Sequence, residues 1–169
     1  WVRNANNDGT GEQSHFGWST DRGRHWQWAD WKWEPFGFPN FIDFGRNYAA
    51  APADLAHYVF IYSPDTPSAY NFADHVILMR VPRDQIRVKP AYEFFAGNDA
   101  EGQPTWSPDT DRRRPVFIYP GGCNRMSVTY NAPLQRYLLT MRSGARQRGP
   151  TRRPEDQKRH HFGIYDAPQ

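Results

Sequence analysis

Short runs of β-branched, aromatic and aliphatic residues recur along the chain, each closed by a turn signal, and they predict strands. Residues 57–63 (HYVFIYS) and 75–81 (HVILMRV) are two such runs. Pro82 stops the second, and Pro64, Asp65, Pro67 and Ser68 supply turn chemistry between the two. Residues 38–45 (FPNFIDFG), 91–95 (AYEFF) and 114–119 (RPVFIY) read the same way, the last two running into Gly97-Asn98-Asp99 and Pro120-Gly121-Gly122. Residues 126–130 (MSVTY) and 136–141 (RYLLTM) flank Asn131-Ala132-Pro133 as the arms of a hairpin would, and 162–165 (FGIY) is the last run. Only 49–55 leaves room for a helical turn, because Pro or Gly interrupts every longer window. Strands at near-regular spacing without helices between them predict a sandwich, a barrel or a propeller.

Composition agrees with an all-β chain and excludes several classes. The 169 residues have the length of one domain. The apolar share is only 38%, yet aromatic residues make up 16%, too many for a disordered chain. Fifteen prolines and 13 glycines fit long polar connections between aromatic-filled strands. A net charge of +3 does not call for a nucleic-acid partner. The six basic residues of the tail 142–161 after Arg142 (Arg146, Arg148, Arg152, Arg153, Lys158 and Arg159) are diluted by Glu155 and Asp156. No aromatic interleaves them, so they read as a solvated loop. The single cysteine, Cys123, allows no internal disulfide and reads as a small buried thiol. No apolar run reaches membrane-spanning length. No zinc spacing, phosphate loop or nucleophile elbow occurs, and neither a metal nor a cofactor is expected. His160 and His161 are adjacent, so on a strand they would point to opposite faces.

Residues 19–26 (STDRGRHW) narrow the choice of fold. They fit the Asp-box pattern Ser-x-Asp-x-Gly-x-Thr-Trp, with His25 in place of Thr. Asp21 is expected to accept backbone N–H bonds within the turn, Gly23 to take a positive φ, and Trp26 to plug the hairpin. The pattern recurs between outer strands of propeller blades in sialidase-like proteins, where it is structural, so Asp21 is not counted as catalytic. Trp26, Trp28, Trp31 and Trp33 form a ladder in which alternate residues share a face. Blade packing is its simplest use, and sugar stacking is the alternative.

From residue 38 onward the chain resembles a family of secreted bacterial and fungal propeller proteins long described only as a domain of unknown function, some of which are D-arabinan-degrading glycoside hydrolases. The resemblance rests on FIDFGRNY (41–48), YVFIYSPD (58–65), ADHVILMRVPRDQI (73–86), AYEFFAG (91–97), PTWSPD (104–109), RPVF (114–117), PGGCNRMSVTYNAPLQRYLLT (120–140) and FGIYDAP (162–168). The family pattern continues past the Ala-Pro into a Trp-Gly-x-Trp stretch that this chain lacks. The resemblance therefore implies a partial β-propeller of four-stranded antiparallel blades, about two to two and a half of them. Residues 1–36 would end one blade, 37–115 would form a complete one and 116–169 most of the next. A closed ring needs more blades, so other chains or further sequence are expected to complete it. An extracellular setting follows from the same resemblance.

Glycoside hydrolysis needs two carboxyl groups facing one sugar. On this blade assignment 40–45 and 126–131 are innermost strands lining a central funnel. Asp43 is then the candidate base or nucleophile, and Asp74, ahead of the third strand, the second carboxylate. Tyr70, Arg125, Ser127 and Tyr130 are candidate sugar-holding residues. Arg125 could fork onto a carboxylate or vicinal hydroxyls, or simply pin the Pro-Gly-Gly-Cys turn. Glu93, Asp99, Glu101, Asp109 and Asp111 read as structural or solvated. Two functions remain open: a glycoside-hydrolase-like propeller acting on or binding a polysaccharide, or a non-catalytic carbohydrate-binding or assembly module.

Overall fold

A computed structural model describes residues 2–3, 13–144 and 160–168. The chain is all-β. A small sheet orders β1 (Val2–Arg3), β2 (Ser14–Trp18) and β3 (Gln27–Trp33) side by side. The main curled sheet contains β4 (Asn40–Asp43), β5 (Tyr58–Pro64), β6 (Ala73–Pro82), β7 (Glu93–Asn98), β8 (Pro104–Ser107), β9 (Pro115–Cys123), β10 (Met126–Asn131), β11 (Arg136–Gly144) and β12 (His160–Pro168). Its order is β12-β11-β10-β4-β5-β6-β7-β8, and β9 pairs with β6 off that path. Every pairing is antiparallel except β4 with β10, which run parallel with Ile42 opposite Val128 and Asp43 opposite Thr129. This arrangement matches a partial propeller: a sheet β4-β5-β6-β7 and a sheet β10-β11-β12 radiate from two parallel strands placed side by side.

Alternation along the strands builds two layers of core. On one face of β5–β7, Ile61, Ile77, Met79, Val81 and Phe94 meet Trp33 and Phe36 at the end of the small sheet, with Tyr92 between them. Trp33 stands edge-on to Tyr92 and Phe94 at 5.4 and 5.6 Å, an arrangement aromatic quadrupoles favour. The opposite face of β5–β6 carries Phe60, Tyr62 and Leu78. Together with Ile42 and Phe44 it packs on Val128, Tyr130, Tyr137 and Leu139 of the second sheet. Face-to-face burial of this kind between neighbouring sheets holds blades together. Each fully buried large side chain contributes about 1.5–3 kcal/mol.

Several expected features differ in detail. The run 91–95 enters its strand only at Glu93, because Lys89–Ala91 form a 3-10 turn. The helical turn expected at 49–55 is a series of bends and turns, while a 3-10 turn sits earlier, at Arg46–Tyr48. The Trp ladder divides. Trp31 and Trp33 pack inward, whereas Trp26 and Trp28 are 56% and 52% exposed. The Asp-box forms as expected. Asp21 Oδ1 accepts from His25 N at 2.9 Å and Ser19 Oγ at 2.7 Å, and its Oδ2 lies 2.5 Å from His25 Nδ1. Gly23 has φ 82°. Trp26 donates its indole N–H to Gly23 O at 3.1 Å, so it does fold back, but its outer face stays open. His160, His161 and the basic residues of 145–159 lie outside the residues whose side chains are described.

Candidate functional site

The parallel β4–β10 pair presents two sides. Ile42, Phe44, Val128 and Tyr130 turn into the inter-sheet core. The alternate residues Phe41, Asp43, Ser127 and Thr129 are exposed, and the register sets Asp43 directly beside Thr129. An aromatic ring, a carboxylate and two hydroxyls thus share one open strip where the two innermost strands meet. Asp43 is oriented by its own turn, since its Oδ1 accepts from Gly45 N at 2.8 Å. That turn is strained: Gly45, Asn47 and Tyr48 have φ of 78°, 57° and 65°. Left-handed backbone at a tyrosine is costly and persists only where packing imposes it. Here the Phe44 ring packs against Tyr48 at a tilt, 4.8 Å between centres, and the Tyr48 hydroxyl accepts from Phe60 N at 3.3 Å. Burial pushes the Tyr48 hydroxyl up from its ordinary value, so it stays protonated.

Asp74 stands elsewhere. The ladder carries the Phe41 row through Ile61 to Met79, and Asp43 lies two positions on, level with Val59 and Val81. Asp74 is seven residues from Val81 along β6, so the two carboxylates are separated by about 23 Å of strand at ~3.3 Å per residue. The separations that glycoside hydrolysis uses are about 5–5.5 or 6.5–9.5 Å. Asp43 and Asp74 therefore do not form a facing pair. Reading both into one funnel overlooked that they sit at opposite ends of the same sheet. Asp74 instead accepts from Gly121 N at 2.8 Å and pins the Pro-Gly-Gly-Cys segment.

The expected sugar-holding residues also divide. Ser127 is on the open strip. Tyr130 is 7% exposed, packed 5.7 Å from Phe44 and 5.0 Å from Tyr137, so it belongs to the core and offers no face to a sugar. Tyr70 and Arg125 come together, the Arg125 guanidinium 5.6 Å from the centre of the Tyr70 ring. Their loops are tied by Asn124 Nδ2, which donates to Asn71 O at 3.0 Å. Arg125 precedes β10 and lies four residues from Thr129, about 13 Å along the strand direction. Sequence reasoning missed Thr129, although it shares parity with Ser127, and missed the open face of Phe41.

At the Asp43 end of the sheet, Ala56, His57, Tyr58, Pro82, Arg83 and Asp84 line an open concavity of about 410 Å³. Asp65 makes a largely enclosed charged cluster. Its carboxylate, 11% exposed, takes Arg113 Nε and Nη2 at 3.1 and 3.0 Å and His75 Nε2 at 2.7 Å. All its partners are internal, and it locks the β5–β6 turn to the loop before β9. Glu93 is structural as expected, bonded to Arg80 at 2.8 Å, and Asp99 and Asp109 accept backbone N–H groups in their own turns. Among the described residues no three His, Cys, Asp or Glu side chains gather as a metal site.

Comparison with known proteins adds one assignment. A family model described as a domain of unknown function (DUF4185) matches residues 2–159. No curated protein matches the chain.

Proposed function

The chain belongs to the DUF4185 family, and on that premise we propose that it is a propeller segment that binds an extracellular polysaccharide along the strip of Phe41, Asp43, Ser127 and Thr129. The observation that carries this reading is the parallel pairing of β4 and β10, which sets an aromatic ring beside a carboxylate and two hydroxyls on one open surface. Sugars are held by that combination: an apolar ring for the flat C–H face, and acceptors and donors for the hydroxyls. The strained Gly45–Tyr48 turn fixes the carboxylate before ligand arrives, which lowers the ordering cost of binding.

Binding without cleavage fits this chain better than hydrolysis. Asp43 is placed to act as a base or nucleophile, but Asp74 is too distant to be its partner. The resemblance to D-arabinan-degrading enzymes supports a polymer of that kind as the first ligand to try. Affinity electrophoresis through gels containing arabinan tests the reading. Retardation of the wild-type chain, reduced at least about fivefold in Asp43→Asn and unaffected in Asp74→Asn, supports it, as one charged hydrogen bond is worth about that much or more. No retardation by arabinan or other polysaccharides overturns it. Release of reducing ends, lost in Asp43→Asn, would instead establish hydrolysis.

A further inference from the structure

The turn that fixes Asp43 also carries Tyr48, and Tyr48 leads to the concavity at that end of the sheet. The Arg83 guanidinium lies 5.3 Å from the centre of the Tyr48 ring, and its Nη1 donates to Ala56 O at 3.3 Å. Arg83 is therefore positioned from two sides before any ligand arrives. The left-handed backbone at Asn47 and Tyr48, φ 57° and 65°, is what delivers that ring, and strain of this kind gathers at ligand clamps. Arg83 N donates to His57 O at 3.0 Å, which carries the β5–β6 ladder one pair past Tyr58 and Pro82. Asp43 is level with Val59, so His57 is one strand across and two residues along from it, a Cα separation of about 8 Å.

His57, Arg83 and Asp84, with Tyr58 and Pro82 as apolar walls, line the concavity of about 410 Å³. That volume is within the range of small-ligand sites. The guanidinium only donates, the carboxylate only accepts, and the exposed imidazole does both. A free anion gains little where Asp84 stands beside Arg83. Neighbouring hydroxyls of a neutral sugar suit the set, since each can accept from Arg83 and donate to Asp84. We propose that this concavity is a second sugar subsite, taking a neutral, hydroxyl-rich unit of the same polymer that lies on the strip. The inference rests on the polysaccharide reading above and deepens it: the ligand is an uncharged chain bound across two subsites that one turn, Asp43 to Tyr48, holds together.

Two probes separate this subsite from the polysaccharide reading. The first is calorimetric titration with arabinan oligosaccharides from dimer to hexamer. The wild-type chain is expected to gain about tenfold in affinity along the series, the scale of one hydrogen bond to a charged group. Asp84→Asn and His57→Ala, both at exposed positions, should each remove most of that gain. Asp43→Asn should weaken the whole series. The second probe is free arabinose, followed through the His57 ring resonances. A saturable shift supports the subsite even if no oligosaccharide binds, in which case only the polysaccharide reading fails. A length gain that survives both concavity variants, or no gain at all, with no arabinose shift in either case, overturns the subsite and leaves binding on the strip to stand or fall by itself. A larger saturable shift with inorganic phosphate than with arabinose overturns the choice of a neutral ligand.

Discussion

Gly37 joins the small sheet to β4, and replacing it with alanine gives a sharp test of how the two are seated. A Cβ at Gly37 would lie 2.4 Å from Pro67 O, 2.5 Å from Ser68 C and 2.6 Å from Ala69 N. All three are backbone atoms, so no side chain can swing aside. Overpacking of this kind costs about 1–3 kcal/mol. Separating the two connecting segments also breaks the bond from Gly37 N to Thr66 O, now 2.9 Å long, worth about 1 kcal/mol. Gly37→Ala should therefore destabilise the fold by about 2–4 kcal/mol, a fall in Tm of roughly 4–16 °C for a chain of this length. Thermal unfolding followed by circular dichroism measures it. A Tm within about 2 °C of wild type would refute the close approach of 37 to the 67–69 backbone.

Three further outcomes follow from individual sites. Cys123 is fully buried and burial pushes its thiol up to about 11, so the native protein should resist a thiol reagent at pH 8 and react only when unfolded; rapid native labelling contradicts that packing. The His25 backbone N–H, with Ser19, holds Asp21 down to about 2 from 3.8, so its contribution to the hairpin is complete above about pH 4 and is lost as pH falls through about 2. Trp26 fluorescence should report that loss, and an unchanged transition in Asp21→Asn would show that Asp21 is not its source. The Arg80 guanidinium lies 4.3 Å from the Tyr58 ring centre and 4.1 Å from that of Trp106. Arg80→Ala should cost about 1–2 kcal/mol in urea unfolding, and a cost below a few tenths contradicts the sandwich.

Much of the fold was legible because strand runs, turn residues and the Asp-box are local signals. Residues 126–131 and 136–141 around Asn131-Ala132-Pro133 form the β10–β11 hairpin they spelled out. Tyr130 was misjudged although the sequence held the correction: it is three residues from Ser127, so on one strand the two face opposite sides. The distance between Asp43 and Asp74 was not legible, since it depends on registers between strands far apart in sequence. The same is true of Arg125, whose contact with Tyr70 is visible only once the two loops are in place.

The most direct test of the strip is an amide chemical-shift titration with an arabinan oligosaccharide. The account predicts shifts concentrated at Phe41, Asp43, Ser127 and Thr129, and little change at Asp74 and Gly121. Shifts centred on Asp74 and Gly121, or none at saturating ligand, would contradict it.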